Sequence, residues 1–454
     1  MIRRIVMIRG TKARARRALG LLLGLALVLA LGTGCSKLPV APRVTDSSRT
    51  ARPGGTPNIV EPGTGSGIMM TVRAGESAYD VAADYGGSVV DVLPELGLFR
   101  VVLPQSDDEF RNAQEMRNDV RVVAAELNGA ALTAESRQSS VAFSEGGRTW
   151  GNVSDQSAIT RIGASRAQAA ASGSGVLVAI LDTGISFDHP AFAGHLALPG
   201  IEPGVTDSPG NERAEHLDSN GDGILDGSLG HGTHVAGIVL AVAPQARLLP
   251  VRVLDSDGVG SAFDVAYGIV HAVERGAQVI NMSLGLSSPS SAVAGAIRFA
   301  RDRGVVVVVP TGNDQIGSLS FPASMSEVLA VAGTDSLDHH AWFTNYGYGT
   351  DLAAPSTAIL STYYGGGYAR WSGTSMAAPF VSGTAALLYG LMLPGDPGTP
   401  GQVQGYLLEG ACPLYSIDPV FAWGLGAGRV DAAASVSAMN WSGTAEEGEQ
   451  ERRP

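Results

Sequence analysis

The stretch GTSMAAPFVSGTAALL, from Gly373 to Leu388, predicts an apolar helix that carries a serine at its start. We expect Ser375 to open this helix and Pro379 to lie in its first turn, where a proline removes no helical hydrogen bond. The free backbone N–H groups and the positive dipole end at a helix N-terminus stabilise a nearby anion. Ser375 is therefore a candidate nucleophile, provided that the chain supplies a base.

Continuous apolar runs that precede this stretch predict strands that are covered on both faces. The runs are GVLVAILD, ARLLPVRVLD, AQVINMSLG, GVVVVVPTGN, VLAVAGTD and AILSTY. Predicted helices alternate with them, in HGTHVAGIVLAV, FDVAYGIVHAVE and SAVAGAIRFARDRG. This alternation predicts an α/β domain over residues 153–439, with a doubly wound, mainly parallel sheet.

Polar residues follow several of these strands, at the edge of the sheet where α/β proteins bind ligands. Asp182 ends GVLVAILD, and Asn313 ends GVVVVVPTGN with an amide suited to donate to an oxyanion. His231 opens the helix HGTHVAGIVLAV. Ser283 and Gly285 offer a strand edge on which an extended peptide can form main-chain hydrogen bonds.

Five motifs occur in one order along the chain: DTG at Asp182, HGTHVAG at His231, SLG at Ser283, TGN at Asn313 and GTSMAAP at Ser375. Together they resemble the subtilisin-type serine peptidases over roughly residues 150–434, and the order aspartate, histidine, serine is that of subtilisin itself. The resemblance implies that Ser375 attacks the scissile carbonyl, that His231 transfers the proton and that Asp182 orients the imidazole. Asn313 and the backbone N–H of Ser375 would form the oxyanion hole.

The same resemblance assigns substrate binding to two strand edges, formed by Ser283, Leu284 and Gly285 and by Gly258 and Gly260. It implies an endopeptidase that acts on proteins through an acyl-enzyme, and His234 is expected to be structural. A serine esterase of the G-x-S-x-G type is disfavoured because the chain has GTSMA and the wrong order of motifs. A catalytically inert surface binding protein on a peptidase scaffold stays open as the alternative.

Residues 68–134 predict a separate small unit before the main domain. The order strand, helix, strand, strand, helix, strand is typical of an α+β ferredoxin-like fold. The resemblance implies that this unit is an inhibitory propeptide, which occupies the active site of a self-processing zymogen until it is cut. The polar segment 135–152 is the expected processing region.

The N-terminus predicts export to the bacterial cell envelope or the extracellular space. A basic start, the apolar run from Leu19 to Gly34 and the ending GTGC make residues 1–35 a signal segment, which resembles the lipoprotein type with Cys35 as lipid acceptor. Ordinary signal cleavage is the alternative. Residues 36–67 are rich in Pro, Ser, Thr and Gly and predict a flexible tether, and residues 440–454 predict a disordered acidic tail.

Composition limits the possible partners. The 454-residue chain has a net charge of −12, which argues against nucleic acid, and 44% hydrophobic residues, which supports a large core. Membrane contact is expected only through a lipid anchor, and a monomer is the default. Cys35 and Cys412 are the only cysteines, so no disulfide framework holds the fold, and Cys412 is expected to be buried.

The insertion 194–230 contains DSNGDGILDG, which copies the first half of a calcium-binding loop. Oxygen ligands at alternate positions precede Gly223, which allows the sharp turn, but Leu229 stands where a bidentate glutamate is expected. The candidate Ca²⁺ ligands are Asp218, Asn220, Asp222 and Asp226. A solvated acidic loop is the alternative, and the motifs imply no organic cofactor.

Overall fold

The computed structural model describes residues 66–104, 108–135, 153–206, 209–392 and 398–439, and gives the backbone pairing of residues 144 and 145. The predicted signal segment with Cys35, almost all of the tether, most of the processing segment and the acidic tail lie outside the described residues. Those assignments stay predictions. Within the described ranges, no helix combines the length and the apolar character needed to cross a membrane.

The first unit is a four-stranded antiparallel sheet with two helices. Its elements are β1 (Ile68–Val72), α1 (Ala78–Asp84), β2 (Ser88–Leu93), β3 (Leu98–Val102), α2 (Glu109–Asn118) and β4 (Val122–Leu127). The strand order β2-β3-β1-β4 places β1 and β3 in the centre, and a small apolar core includes Ile68, Val81, Val101 and Met116. This order of elements is the one predicted from the sequence.

Short elements connect this unit to the main domain. They are β5 (Ala130–Thr133), β6 (Ser144–Glu145), α3 (Ser157–Arg161) and α4 (Ala164–Ala167).

The main domain contains a six-stranded parallel sheet in the order β14-β13-β12-β10-β7-β8. Its elements up to α7 are β7 (Leu177–Asp182), α5 (His231–Val242), β8 (Arg247–Arg252), β9 (Val259–Ser261), α6 (Ala262–Glu274), β10 (Val279–Met282), β11 (Leu284–Leu286) and α7 (Ser291–Asp302). The later ones are β12 (Val306–Pro310), β13 (Leu329–Thr334), β14 (Leu352–Pro355), β15 (Ile359–Tyr363), β16 (Gly367–Trp371), α8 (Thr374–Tyr389) and α9 (Pro400–Glu409).

Helices cover both faces of this sheet, as predicted. α5 and α8 pack on one face, and α6 and α7 pack on the other. β7 contributes to both layers, because Val178 and Ile180 face the first and Ala179 and Leu181 face the second. The strand order reverses at β7, since β8 lies on one side of it and β10 on the other, so the carboxyl ends of β7 and β10 border a crevice.

Two details differ from the sequence-based expectation. The run AILSTY was grouped with the buried parallel strands, but it forms β15, which pairs with β16 in an antiparallel hairpin. One edge of the parallel sheet is instead β14, whose run LAAP is short and ends in Pro355, so it was not recognised among the long apolar runs. Cys412, expected to be buried, is a partly exposed free thiol.

Candidate active site

Ser375 lies in the first turn of α8, directly after Thr374, and its side chain is buried. The predicted position of Pro379 is wrong, because the helix begins at Thr374 and the proline falls in the second turn. There it removes the N–H that would otherwise bond to the carbonyl oxygen of Ser375. Ser283 Oγ donates a hydrogen bond to this oxygen at 2.9 Å. A side chain from the loop between β10 and β11 thus replaces the missing helical hydrogen bond.

His231 at the start of α5 and Asp182 at the end of β7 form a buried pair. His231 Nδ1 lies 2.7 Å from Asp182 Oδ1. The backbone N–H of Thr183 also donates to Asp182 Oδ1 at 2.7 Å, which holds the carboxylate in place. Gly230 precedes the helix with φ 95°, and a Cβ at this position would overlap the ring of Tyr363.

The electrostatic surroundings of the two helix histidines are opposite. Burial alone would lower the pKa of His231, but the charge of Asp182 and the hydrogen bonds to Asp182 and Glu135 outweigh it and raise the pKa to about 10. Burial lowers the pKa of His234 to about 3. The ring of His234 stacks on Trp371 at 5.3 Å between centroids, and its Nε2 lies 3.0 Å from the carbonyl oxygen of Ile359. A neutral, packed His234 agrees with the structural role expected for it.

Asn313 follows β12, and its side-chain amide is held in one orientation. Asn313 Oδ1 accepts hydrogen bonds from the backbone N–H of Thr374 at 2.9 Å and from Thr374 Oγ1 at 2.8 Å. The Nδ2 group therefore points away from Thr374, and it donates to Glu135 Oε1 at 3.1 Å. The residue predicted as an oxyanion donor thus presents an N–H beside the N-terminus of α8.

The carboxylate of Glu135 contacts three of the predicted catalytic side chains, those of Ser375, His231 and Asn313. Glu135 Oε2 accepts a hydrogen bond from Ser375 Oγ at 2.8 Å and lies 3.1 Å from His231 Nε2. A Cβ on Gly373 would overlap Glu135 Oε1, so this glycine gives the carboxylate its room. In the sequence, Glu135 stands only at the start of the polar segment 135–152. No local signal marks it, because the contact with Ser375 joins residues 240 positions apart.

Strand β5 lies between the two strand edges predicted to bind substrate. It pairs antiparallel with β11 on one side and with β9 on the other. The opposed residues include Thr133 with Leu284, Leu132 with Gly285 and Ala131 with Gly260. The backbone N–H of Thr133 also donates to the carbonyl oxygen of Gly258 at 2.9 Å. Ser283 adjoins the same region, since its carbonyl oxygen is 3.5 Å from Ser375 Oγ.

A second carboxylate that the sequence analysis missed belongs to Glu212, in the insertion 194–230. Its side chain is buried and contacts Thr183, the residue after Asp182. Burial raises its pKa to about 7 against the opposing effect of its hydrogen bonds, and the charge of Asp182 adds to the rise. Glu212 belongs to no motif, so no local pattern marks it as functional.

The predicted calcium ligands do not converge on a common point. The side-chain oxygens of Asp218, Asn220 and Asp222 accept hydrogen bonds from the backbone N–H groups of Gly223, Asp222 and Ile224 of their own loop. Asp226 Oδ1 instead accepts a hydrogen bond from Ser256 Oγ at 2.5 Å. In the part of the chain that the structure describes, no three acidic, histidine or cysteine side chains are grouped to hold a metal ion.

Comparisons with known proteins agree with this fold and site. Residues 173–438 match the sequence profile of the subtilase family, so the chain belongs to that family. It is 42% identical over 241 residues to Subtilisin Savinase of Lederbergia lenta, an alignment that covers 50% of this chain and 82% of that protein. Thermitase of Thermoactinomyces vulgaris is 41% identical over 238 residues, with 50% and 80% covered.

Among solved structures, a protease of Pseudoalteromonas arctica superposes with a TM-score of 0.53 and 34% sequence identity, covering 60% of this chain and 92% of that one. The protein described here is accordingly a serine endopeptidase of the subtilisin-like class, and its substrates are proteins.

Proposed function

We propose that Ser375 is the nucleophile, that His231 is the general base and acid, that Asp182 orients the imidazole, and that Asn313 completes the oxyanion hole. The supporting observation is that Ser375 Oγ, His231 Nε2 and Asn313 Nδ2 all contact one carboxylate, that of Glu135. A carboxylate carries its negative charge on oxygens, as do the tetrahedral intermediate and the acid product of peptide hydrolysis. Donors that converge on it are therefore suited to acyl transfer.

The reaction follows from these positions once Glu135 has left. Ser375 Oγ attacks the carbonyl carbon while His231 Nε2 takes the hydroxyl proton. The carbonyl oxygen becomes an oxyanion and accepts hydrogen bonds from Asn313 Nδ2 and the backbone N–H of Ser375. His231 returns the proton to the amine as the C–N bond breaks, which leaves an acyl-enzyme. Water then repeats the sequence and releases the acid, while Asp182 stabilises the imidazolium at each stage.

The triad is tested by comparing the wild type with Ser375→Ala and with Ser437→Ala, an exposed serine on a C-terminal helix. We expect wild type and Ser437→Ala to gain one fluorophosphonate adduct by intact mass and to digest casein, and Ser375→Ala to do neither. A folded wild type that is neither labelled nor active after removal of residues 68–134 would favour the inert binding protein.

We further propose that residues 68–134 are an inhibitory propeptide bound in the substrate position. Two of its side chains cap helices of the main domain. The carboxylate of Glu126 accepts hydrogen bonds from the backbone N–H of Ser291 at 2.9 Å and from Ser290 Oγ at 2.8 Å, at the start of α7. Asn128 Oδ1 accepts one from the backbone N–H of Phe263 at 2.9 Å, at the start of α6. Such caps stabilise both the helices and the docked unit.

The register of β5 supports one cleavage point. β5 runs antiparallel to both neighbours, as an extended substrate would, and Thr133 is its last paired residue. Ala134 follows, and Glu135 already contacts Ser375. We propose that the chain is cut between Ala134 and Glu135, with the buried Ala134 in the primary specificity pocket. The N-terminal sequence of the mature enzyme tests this: it should begin at Glu135, and a start at another residue would contradict the register.

We also propose that the loop 218–226 binds Ca²⁺. Support comes from the alternating oxygen side chains of Asp218, Asn220 and Asp222, although these now cap backbone N–H groups and would have to turn toward an ion. The measurement is the melting temperature in Ca²⁺ and in EGTA. We expect a fall in EGTA for the wild type and none for Asp222→Asn. Equal falls in both would place the bound ion elsewhere.

We propose export with Cys35 as a lipid anchor, on the basis of the basic and apolar N-terminal sequence. The wild type should sediment with membranes, and Cys35→Ser should be found in the soluble fraction. A wild type that is soluble and lacks residues 1–35 would indicate ordinary signal cleavage.

A further inference from the structure

Glu212 is a fully buried carboxylate behind the Asp182–His231 pair. Its Oε1 accepts hydrogen bonds from Thr183 Oγ1 at 2.5 Å and from the backbone N–H of Gly230 at 2.9 Å. Its Oε2 accepts a short hydrogen bond from Thr233 Oγ1. These contacts join the insertion 194–230 to the end of β7 and to the start of α5.

Each threonine hydroxyl that contacts Glu212 also accepts a hydrogen bond from a backbone N–H group. Thr183 Oγ1 accepts a hydrogen bond from the N–H of Gly232 at 3.0 Å, and Thr233 Oγ1 accepts one from the N–H of Ser186 at 2.8 Å. Because each hydroxyl has a single proton, donation to Glu212 leaves its lone pairs free for these N–H groups. The backbone amides on both sides of His231, at positions 230 and 232, are therefore held through this carboxylate.

The same network reaches Asp182. The backbone N–H of Thr183 donates to Asp182 Oδ1 at 2.7 Å, and Arg252 Nε donates to the carbonyl oxygen of Thr183 at 2.9 Å. The orientation of Thr183 is thus fixed from its side chain by Glu212 and from its carbonyl by Arg252. A small rotation of Thr183 would move the N–H that holds the carboxylate of Asp182 against His231.

Glu212 is costly for stability, because it is buried and has no direct cationic partner among the residues that the structure describes. Its hydrogen-bond partners are two hydroxyls and one backbone amide, and burial raises its pKa to about 7. The charge of Asp182 on β7 adds to this rise in the pKa. A buried carboxylate that lowers stability and lies beside the Asp182–His231 pair is better explained by a role in function than by a role in stability.

We propose that Glu212 is a positioning residue of the hydrolytic reaction. It keeps Asp182 and His231 in their relative positions by binding Thr183, Thr233 and the backbone of Gly230. This inference rests on the proposed roles of Asp182, His231 and Ser375. A misaligned general base lowers the rate of the chemical step more than substrate binding, since the substrate-binding edges β9 and β11 are untouched.

The test uses Glu212→Gln, which keeps the volume and removes the charge and one acceptor. Precursors are matured in trans by a tagged wild-type enzyme that is then removed, and active sites are counted with fluorophosphonate. We expect kcat per active site to fall at least tenfold with KM within twofold, and the melting temperature at pH 8 to be unchanged or higher. Thr183→Val should reproduce the loss of kcat, and Thr183→Ser, which retains the hydroxyl, should restore it.

Asp338→Asn is the matched control. Asp338 is another buried carboxylate, but it pairs with Arg161 at 3.0 Å and Arg429 at 3.1 Å. We expect this variant to lower the melting temperature and to leave kcat unchanged. The proposal is overturned if Glu212→Gln keeps the wild-type kcat per active site, or if Thr183→Val and Thr183→Ser are equally active.

A second measurement separates this inference from the proposed function. The Nδ1 proton of His231, identified by its loss in His231→Ala, is followed by NMR in wild type and Glu212→Gln. We expect the resonance to shift or broaden in the variant, and an unchanged resonance would contradict the positioning role. An inactive, unlabelled wild type would overturn the proposed function, whereas this spectral comparison would still test the placement of His231.

Discussion

Replacing Glu135 by alanine is expected to accelerate the first self-cleavage of the precursor. In the wild type the carboxylate binds Ser375 Oγ, Asn313 Nδ2 and His231 Nε2. The carbonyl of Ala134 cannot take the oxyanion donors until this carboxylate has left. Glu135→Ala removes the competitor and leaves the pairing of β5 unchanged.

The size of the effect follows from the contacts that must break. Their lengths are 2.8 Å to Ser375 Oγ and 3.1 Å each to Asn313 Nδ2 and His231 Nε2. A hydrogen bond contributes about 1 kcal/mol net once water competes for its partners, so the contacts together stabilise the blocked state by about 2–3 kcal/mol. Removing them should raise the cleavage rate about 30- to 160-fold, since about 1.4 kcal/mol corresponds to a factor of ten.

The assay begins with full-length precursor purified in denaturant and refolded by dilution. Samples are stopped in acid at intervals, and intact mass gives the fraction cut and the position of the cut. Glu115→Ala is the control, because this carboxylate lies on the exposed side of α2 and pairs only with Arg111 among the contacts seen for it. It should be processed at the wild-type rate.

Two outcomes would refute this reasoning. If Glu135→Ala is cut at the wild-type rate or more slowly, the carboxylate does not block the oxyanion donors in the precursor. If the cut lies elsewhere than after Ala134, the register of β5 does not represent the reactive arrangement.

Four further predictions concern neighbouring parts of the molecule. Asn313→Ala should lower kcat about 100- to 1,000-fold with little change in KM, the range found for an oxyanion donor of subtilisin itself; an unchanged kcat would exclude Asn313 from the oxyanion hole. Glu126→Ala should shorten the half-life of the cut complex about 10- to 100-fold on gel filtration, because hydrogen bonds to a charged group at the start of α7 are lost; an unchanged half-life would mean that this cap does not hold the propeptide. Precursor processing should speed up as pH rises toward 10, since His231 must be neutral to act as a base. Glu135→Ala should shift this pH–rate profile to lower pH, and coincident profiles of variant and wild type would contradict the effect of Glu135 on the pKa of His231. Glu212 should lower the unfolding free energy by about 3 kcal/mol between pH 4.5 and 7, because folding raises its pKa from 4.5 to about 7 and the folded state binds the extra proton. In denaturant titrations the fall should therefore be about 3 kcal/mol smaller in Glu212→Gln than in the wild type, and equal falls would contradict the raised pKa.

The parallel sheet and its helices were predictable because each element is marked by a local pattern. β7, β10, β12 and β13 are continuous apolar runs, and α6 has apolar residues at helical spacing. The short β14 and the hairpin strand β15 were not separated, since a short apolar run does not reveal whether its partner is parallel or antiparallel.

Pro379 shows a limit of reading helices locally. The sequence placed it in the first turn, because a proline farther inside removes a hydrogen bond. The structure allows it in the second turn because Ser283 donates to the carbonyl of Ser375. This compensation comes from a residue 92 positions away, and no pattern within the helix indicates it.

The sequence by itself determined the family, the class of fold and the candidates for nucleophile, base, orienting acid and oxyanion donor. It could do so because each candidate stands beside its own strand end or helix start within a short motif, where glycines and small residues limit the backbone. Only the tertiary structure decided that Glu135 occupies the donors, that β5 fills the cleft and that Glu212 lies behind Thr183. Those contacts depend on strand order, register and the path of an insertion, which bring together residues far apart in the chain, and the periodicity of a sequence does not encode them.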